Sequence, residues 1–216
     1  MDDRILAACE LSNDLIFQKI PKDRLAYYID VPLAAGRKAA GRFAGENIRA
    51  LYKKYEIEIR EAGSGRGGYG VVLRGQAVMD AKGCSVEIYR DSIEALAKHS
   101  RWKDTVLTCE QALEIHLAHE FFHILEYLEN SSVVKEMEPV QTFSFFGLRR
   151  FSQVQRCGEI AAHVFAKELL KLPVLPNLYD YLYLIGTGKM TPLAFDDMVD
   201  IQKGNIAFSE KNVMMN

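Results

Sequence analysis

Most of what would assign this chain quickly to a class is missing from it. Charge of one sign does not accumulate: 27 Lys and Arg stand against 29 Asp and Glu, a formal net charge of -2. A chain so balanced offers no broad basic face, and no nucleic-acid partner is expected. Cysteine is sparse, four residues at 9, 84, 109 and 157 with no C-x-x-C pair. That spacing argues against a zinc ribbon, a redox pair or a disulfide framework and for free thiols in a reducing compartment. No apolar run approaches the roughly 20 residues that span a bilayer. The start, Met1-Asp2-Asp3-Arg4, has neither the basic nor the apolar region of a signal peptide. A cytoplasmic location without a membrane partner is therefore expected.

What is present suits an ordinary globular chain. Of 216 residues 49% are hydrophobic and 26% charged, enough apolar material for a core that needs neither disulfides nor metal simply to stay folded. Residues 32–55 carry apolar side chains at three- and four-residue spacing (Ala39, Ala40, Phe43, Ala44, Ile48, Leu51, Tyr52), which predicts one helix. Glycines at 36, 41 and 45 weaken it by about 1 kcal/mol each, or allow a close approach to a neighbour.

The period then changes. Ile57 and Ile59 alternate with charged residues, and further strands are expected at 69–73, 76–80 and 85–89, an antiparallel meander over residues 56–90. The glycines of 63–70 lack the G-K-[ST] of a phosphate loop and read as a hairpin turn. Helices follow at 92–99, 109–128, 155–170 and 178–184. Thr108 with Gln111 forms a candidate capping box, and Pro173 and Pro176 end the third of these helices. The polar tail after Lys203 is expected to fray. The fold class is α+β: an N-terminal extension at 1–31, a catalytic-type domain at 32–203 and a C-terminal tail at 204–216.

The chemistry concentrates in His116-Leu117-Ala118-His119-Glu120-Phe121-Phe122-His123. His119 and His123 are four apart on an expected helix, so both imidazoles leave one face at a spacing that suits a tetrahedral metal ion. Glu120 follows the first directly and can accept a proton from water beside that ion, the H-E-x-x-H arrangement. A third ligand is needed. Glu159 and His163, also four apart on the next long helix, are the candidates: one to bind metal, the other to support a ligand from behind. His116 is either such a supporting group or half-buried packing, and His99 has no assignment. Tyr179, Tyr181 and Tyr183 are either oxyanion donors or packing residues. Residues 130–151, with Phe143, Phe145, Phe146 and Phe151, are a lid, a substrate-binding loop, an interaction surface or core.

Together H-E-x-x-H and the run Glu159-Ile160-Ala161-Ala162-His163-Val164-Phe165-Ala166-Lys167-Glu168-Leu169-Leu170 resemble the gluzincin metallopeptidases, most closely the ImmA/IrrE family of bacterial regulatory proteases. The resemblance spans roughly residues 35–175. It implies a zincin-like fold with a small antiparallel sheet packed on the H-E-x-x-H helix. It implies Zn2+ bound by His119, His123 and Glu159, and Glu120 as general base. The substrate would be a peptide or protein, such as a repressor. Two positions depart from the family pattern: Phe122 stands where a glycine precedes the second histidine, and His163 where an Asn or Asp follows the third ligand. The alternative is a zinc-bearing sensor or binding module of the same fold without turnover, with Phe121-Phe122 blocking the cleft and a lid from Asn130 to Phe151 keeping it shut.

Overall fold

The computed structural model describes residues 1–63, 72–81, 83–102 and 105–213. Its centre is a stack of long helices. Helix α7 (Arg156–Leu170) lies between α2 (Leu25–Gly41) and α5 (Cys109–Leu128), and α3 (Ile48–Lys54) packs on α5. Helix α5 starts where the sequence places it. The Thr108 hydroxyl accepts from the Gln111 N–H at 3.1 Å while the Gln111 side chain accepts from the Thr108 N–H at 2.9 Å. Such a cap stabilises the helix by about 1 kcal/mol. Its apolar residues go all round rather than along one stripe, and Ala112, Ile115, Leu117, Ala118, Phe121, Phe122, Ile124 and Leu125 are all buried. A helix covered on several sides is the rigid kind of support a ligand cluster needs.

The closest packing in this stack is between α2 and α7. A Cβ on Gly36 would come within 2.4 Å of the Ala161 carbonyl oxygen and 2.9 Å of the Val164 Cβ, so Gly36 has to be glycine. Gly41 and Gly45 face open space, and the close-approach reading holds for Gly36 alone of the three. Pro32 sits inside α2 rather than at its start. It has no N–H for the Tyr28 carbonyl, and that carbonyl accepts the Cys157 thiol of α7 at 3.6 Å instead.

The single helix expected over residues 32–55 is two. Helix α2 begins earlier, at Leu25, and α3 starts after a turn in which Gly45 has φ +84. Asn47 restarts the helix, its side chain accepting from the N–H groups of Arg49 and Ala50. The apolar spacing runs through the break because Phe43 in the turn packs edge-on against Phe121, Phe165 and Tyr55.

The sheet is mixed rather than a meander. Strands β1 (Glu58–Ala62), β2 (Gly75–Asp80) and β3 (Gly83–Tyr89) lie in the order β1-β3-β2. The β2–β3 hairpin is antiparallel, but β1 joins the far side of β3 in parallel register, Glu58 opposite Ser85 through Ala62 opposite Tyr89. Most of the strand expected at 69–73, and the glycine turn before it, lie outside the described residues. Helix α4 (Arg90–His99) leads to a short ribbon, β4 (Arg101–Trp102) with β5 (Thr105–Val106), before α5. The short helix α6 (Val133–Glu136) and the hairpin of β6 (Val140–Phe145) and β7 (Leu148–Ser152) connect α5 to α7.

The segments outside 32–203 are tied into the same core. Helix α1 (Asp3–Leu11) buries Leu6, Ala7, Ala8, Cys9 and Leu11 against α2, α7 and α9. Helix α8 (Asn177–Gly186) follows α7, and its Asn177 amide donates to the Leu6 carbonyl at 2.9 Å. Residues 204–213, expected as a frayed tail, continue helix α9 (Pro192–Val213). Within it Ile206 is buried, and the Ser209 hydroxyl donates to the Asp23 carbonyl while accepting from the Ala26 N–H, both at 3.0 Å. Among the described residues no helix is long and apolar enough to cross a membrane.

Candidate metal centre

One turn of α5 and the first turn of α7 meet at three side chains. The His119 Nε2 is 3.3 Å from the His123 Nε2 and 3.2 Å from one Glu159 carboxylate oxygen. The other Glu159 oxygen is 3.7 Å from the His123 Nε2. All three ligating atoms lie within 4.8 Å of one another, so His119, His123 and Glu159 form a group that can hold a metal ion. The convergence follows from local structure. Four-residue spacing stacks the two imidazoles on one face of α5, and the packing of α7 on α5 brings Glu159 against them.

Electrostatics show what the pocket favours. Burial alone would lower the His119 pKa, yet the hydrogen bond and charge of Glu159 raise it to about 9. Burial alone would raise Glu159, but His119, with His123 and His163 behind it, holds that carboxyl well below the usual carboxylate range. A proton on His119 thus answers the negative charge of Glu159 where a cation would do so more strongly, and metal uptake has to displace it.

Three groups stand behind the cluster. The His163 ring tilts against that of His119, centroids 4.7 Å apart, and its Nε2 is 4.0 Å from the Glu10 carboxylate, which Arg156 holds at 2.9 Å. Burial pushes the His163 pKa well down, with His119 adding to the effect. His163 is thus placed beside the cluster rather than in it. Glu126 approaches His123 from the other side, its Oε2 3.6 Å from the His123 Nδ1 and its Oε1 accepting from the Val133 N–H at 2.6 Å. A carboxylate behind a ligand histidine fixes the ring's tautomer and direction. His116 donates its Nδ1–H to the Ala112 carbonyl at 2.7 Å, and burial pushes its pKa down to about 3.

Glu120 lies on the open side. Its Oε2 accepts from the Ala77 N–H of β2 at 2.8 Å. Strand β2 approaches this closely because residue 75 is glycine: a Cβ there would be 3.3 Å from the Glu120 Cγ. Among the described residues the edge strand beside the cluster is therefore β2. Strand β3 is paired on both sides.

Two cavities meet at the cluster, and His119, Glu120 and Glu159 line both. The deeper, about 510 Å³, is walled by Arg74, His116, His163, Asn177, Tyr179 and Tyr181 among others. Four of its charges are paired, Arg74 with Asp180 and Arg156 with Glu10. Three buried polar atoms, Arg74 Nε, His163 Nδ1 and Asn177 Oδ1, have no hydrogen-bond partner among the described residues. The shallower, about 470 Å³, runs along Gly75, Gln76, Ala77 and Met79 of β2. Tyr183 packs against His99 and under the Arg74 guanidinium instead of lining the deep cavity.

Sequence reasoning brought His119, His123, Glu159 and Glu120 to one place. It missed Glu126, although the spacing of three from His123 on one helix was legible. It also missed Glu10, Arg74 and Asp180, for which no local signal exists. No protein-family model matches the chain, and no curated protein or solved structure matches it either.

Proposed function

We propose that this chain is a zinc-dependent peptidase, with His119, His123 and Glu159 as ligands and Glu120 as general base. The observation that carries the reading is the spacing of the three ligating atoms. Ligands at about 2.0–2.1 Å from a tetrahedral zinc ion lie about 3.3 Å apart, and here the separations are 3.2, 3.3 and 3.7 Å. Two imidazoles and a carboxylate, with a fourth side open to a cleft, is also the donor set of hydrolytic zinc sites.

Zinc bound there would supply Lewis acidity, polarising a scissile carbonyl and bringing the pKa of water toward about 7. The chain's own groups supply the rest. The Ala77 N–H fixes one oxygen of Glu120, so the other is available to take a proton from the attacking water and pass it to the leaving amine. A peptide laid along the outer edge of β2 would enter the shallow groove and cross the cluster, with one side chain in the deep cavity. Phe121 and Phe122 are buried in the core and do not block the cleft, one of the two closures the sensor reading invokes.

Elemental analysis of wild type beside Glu159→Ala and His163→Ala tests the ligand set. The Glu159 variant should lose zinc and the His163 variant retain it; the reverse result would sink the assignment. Glu120→Gln should keep zinc and lose roughly 10²–10⁴-fold in cleavage of a mixed peptide library. A chelator should abolish cleavage by the wild type, and added zinc should restore it.

A further inference from the structure

We propose that the β6–β7 hairpin is a docking tip for anionic membrane surfaces, which carries the protein to lipid headgroups independently of the metal centre. The hairpin exposes Phe143, Phe145, Phe146, Leu148 and Phe151, and Phe146 at its apex is 94% exposed. So many large apolar groups on one short projection mark an interaction site rather than ordinary surface.

Charge and depth select the occupant. No Asp or Glu occurs between Glu138 and Glu159, whereas Arg149 and Arg150 follow the apex directly, in a chain of net charge -2. The rungs run Phe145 opposite Leu148, then Ser144 opposite Arg149, then Phe143 opposite Arg150. At about 3.4 Å per residue the arginines stand roughly 5–10 Å behind the apex. That is the depth to which interfacial segments bury apolar groups below the headgroups. Phe145, Phe146 and Leu148 would enter the boundary while the arginines meet lipid phosphates. A projecting tip also suits a soft surface better than a preformed groove does. A second copy of the chain would bring four arginines together.

The turn itself departs from what hairpins prefer. Phe146 has φ +44 and Gly147 φ +84, a two-residue turn that ordinarily takes Asn-Gly. A bulky aromatic in the left-handed region is unusual. Phe146→Asn supplies the residue this turn favours, so loss of function in that variant cannot be ascribed to loss of the hairpin.

Co-sedimentation of the full chain, with and without added zinc, is measured on vesicles of phosphatidylcholine alone and on vesicles mixed with phosphatidylglycerol. Wild type should bind the mixed vesicles, more weakly as salt rises, and zinc should make no difference. Phe145→Ser with Phe146→Asn should reduce binding about tenfold or more, and Arg149→Glu with Arg150→Glu likewise. Failure of wild type to bind, or equal binding to neutral vesicles, would overturn the proposal. Binding to polyglutamate but not to vesicles would assign the tip to an acidic protein, and dimerisation abolished by Phe146→Asn would assign it to a second copy. Either result displaces the membrane.

Discussion

Phe121, Phe122 and Phe165 on α5 and α7, and Phe143, Phe145 and Phe146 on the hairpin that joins those helices, are the same residue type in opposite settings. The first three are buried, with Phe121 and Phe165 fully enclosed, and pack against one another and Phe43. The second three face solvent. The difference lies in the neighbours. Helices α5 and α7 are covered by α2, α3, α4 and β2, whereas the hairpin is two strands with no third strand paired to it among the described residues. Burial behind the cluster supplies stability and fixes the cluster's side chains. Exposure on the hairpin leaves surface free for contact.

The sharpest way to break this comparison is to truncate one aromatic from each side. Phe165→Ala should destabilise by about 3–5 kcal/mol, because it removes a fully enclosed ring from a close-packed interior. Urea denaturation followed by circular dichroism gives the value. A loss below 1 kcal/mol would mean that the stack behind the cluster is loose and that the contrast with the hairpin is false.

Gly36→Ala comes next. The added methyl group meets backbone oxygen at 2.4 Å, so α2 and α7 must separate, at a cost of about 1–3 kcal/mol. A shift of α7 also moves Glu159 relative to α5, so zinc affinity should fall along with the midpoint of unfolding. Unchanged affinity in a destabilised variant would disconnect the packing from the ligand geometry. Glu126→Gln then sharpens the ligand side alone. It keeps the shape but weakens the charge behind His123, and zinc affinity should drop about 10–100-fold with the fold intact. Competition with a chromophoric chelator measures it, and wild-type affinity in that variant would remove Glu126 from the site.

Where local chemistry decides the structure, the sequence was readable. The Thr108–Gln111 box, the H-E-x-x-H face and the end of α7 before Pro173 each depend on residues within a turn or two. The α2–α3 break was hidden because Phe43 keeps the apolar period while Gly45 and Asn47 end and restart the chain. The parallel placement of β1 was hidden because hydrophobic alternation gives a strand its faces but not its neighbour. Glu10 reaches the cavity only through the docking of α1, a contact across about the whole domain that no spacing records. The hairpin's aromatics were left undecided for the same reason: burial is a property of what lies opposite.

The smallest expected effect is on the hairpin itself. Phe145→Ser with Phe146→Asn should change global stability by no more than about 0.5 kcal/mol, since neither ring is enclosed and the new turn residue relieves an unfavourable backbone. Cysteine labelling reports this from inside the protein. Cys157 is buried on α7, and burial pushes its thiol up to about 12, so it reacts only when the helical stack opens. Cys84 and Cys109 are partly exposed and should react first. The rate at Cys157 should be the same in wild type and hairpin variant and much faster in Phe165→Ala. A hairpin variant that exposed Cys157 would mean that the two regions open together, and the aromatics on the tip would then have to be counted as part of the fold.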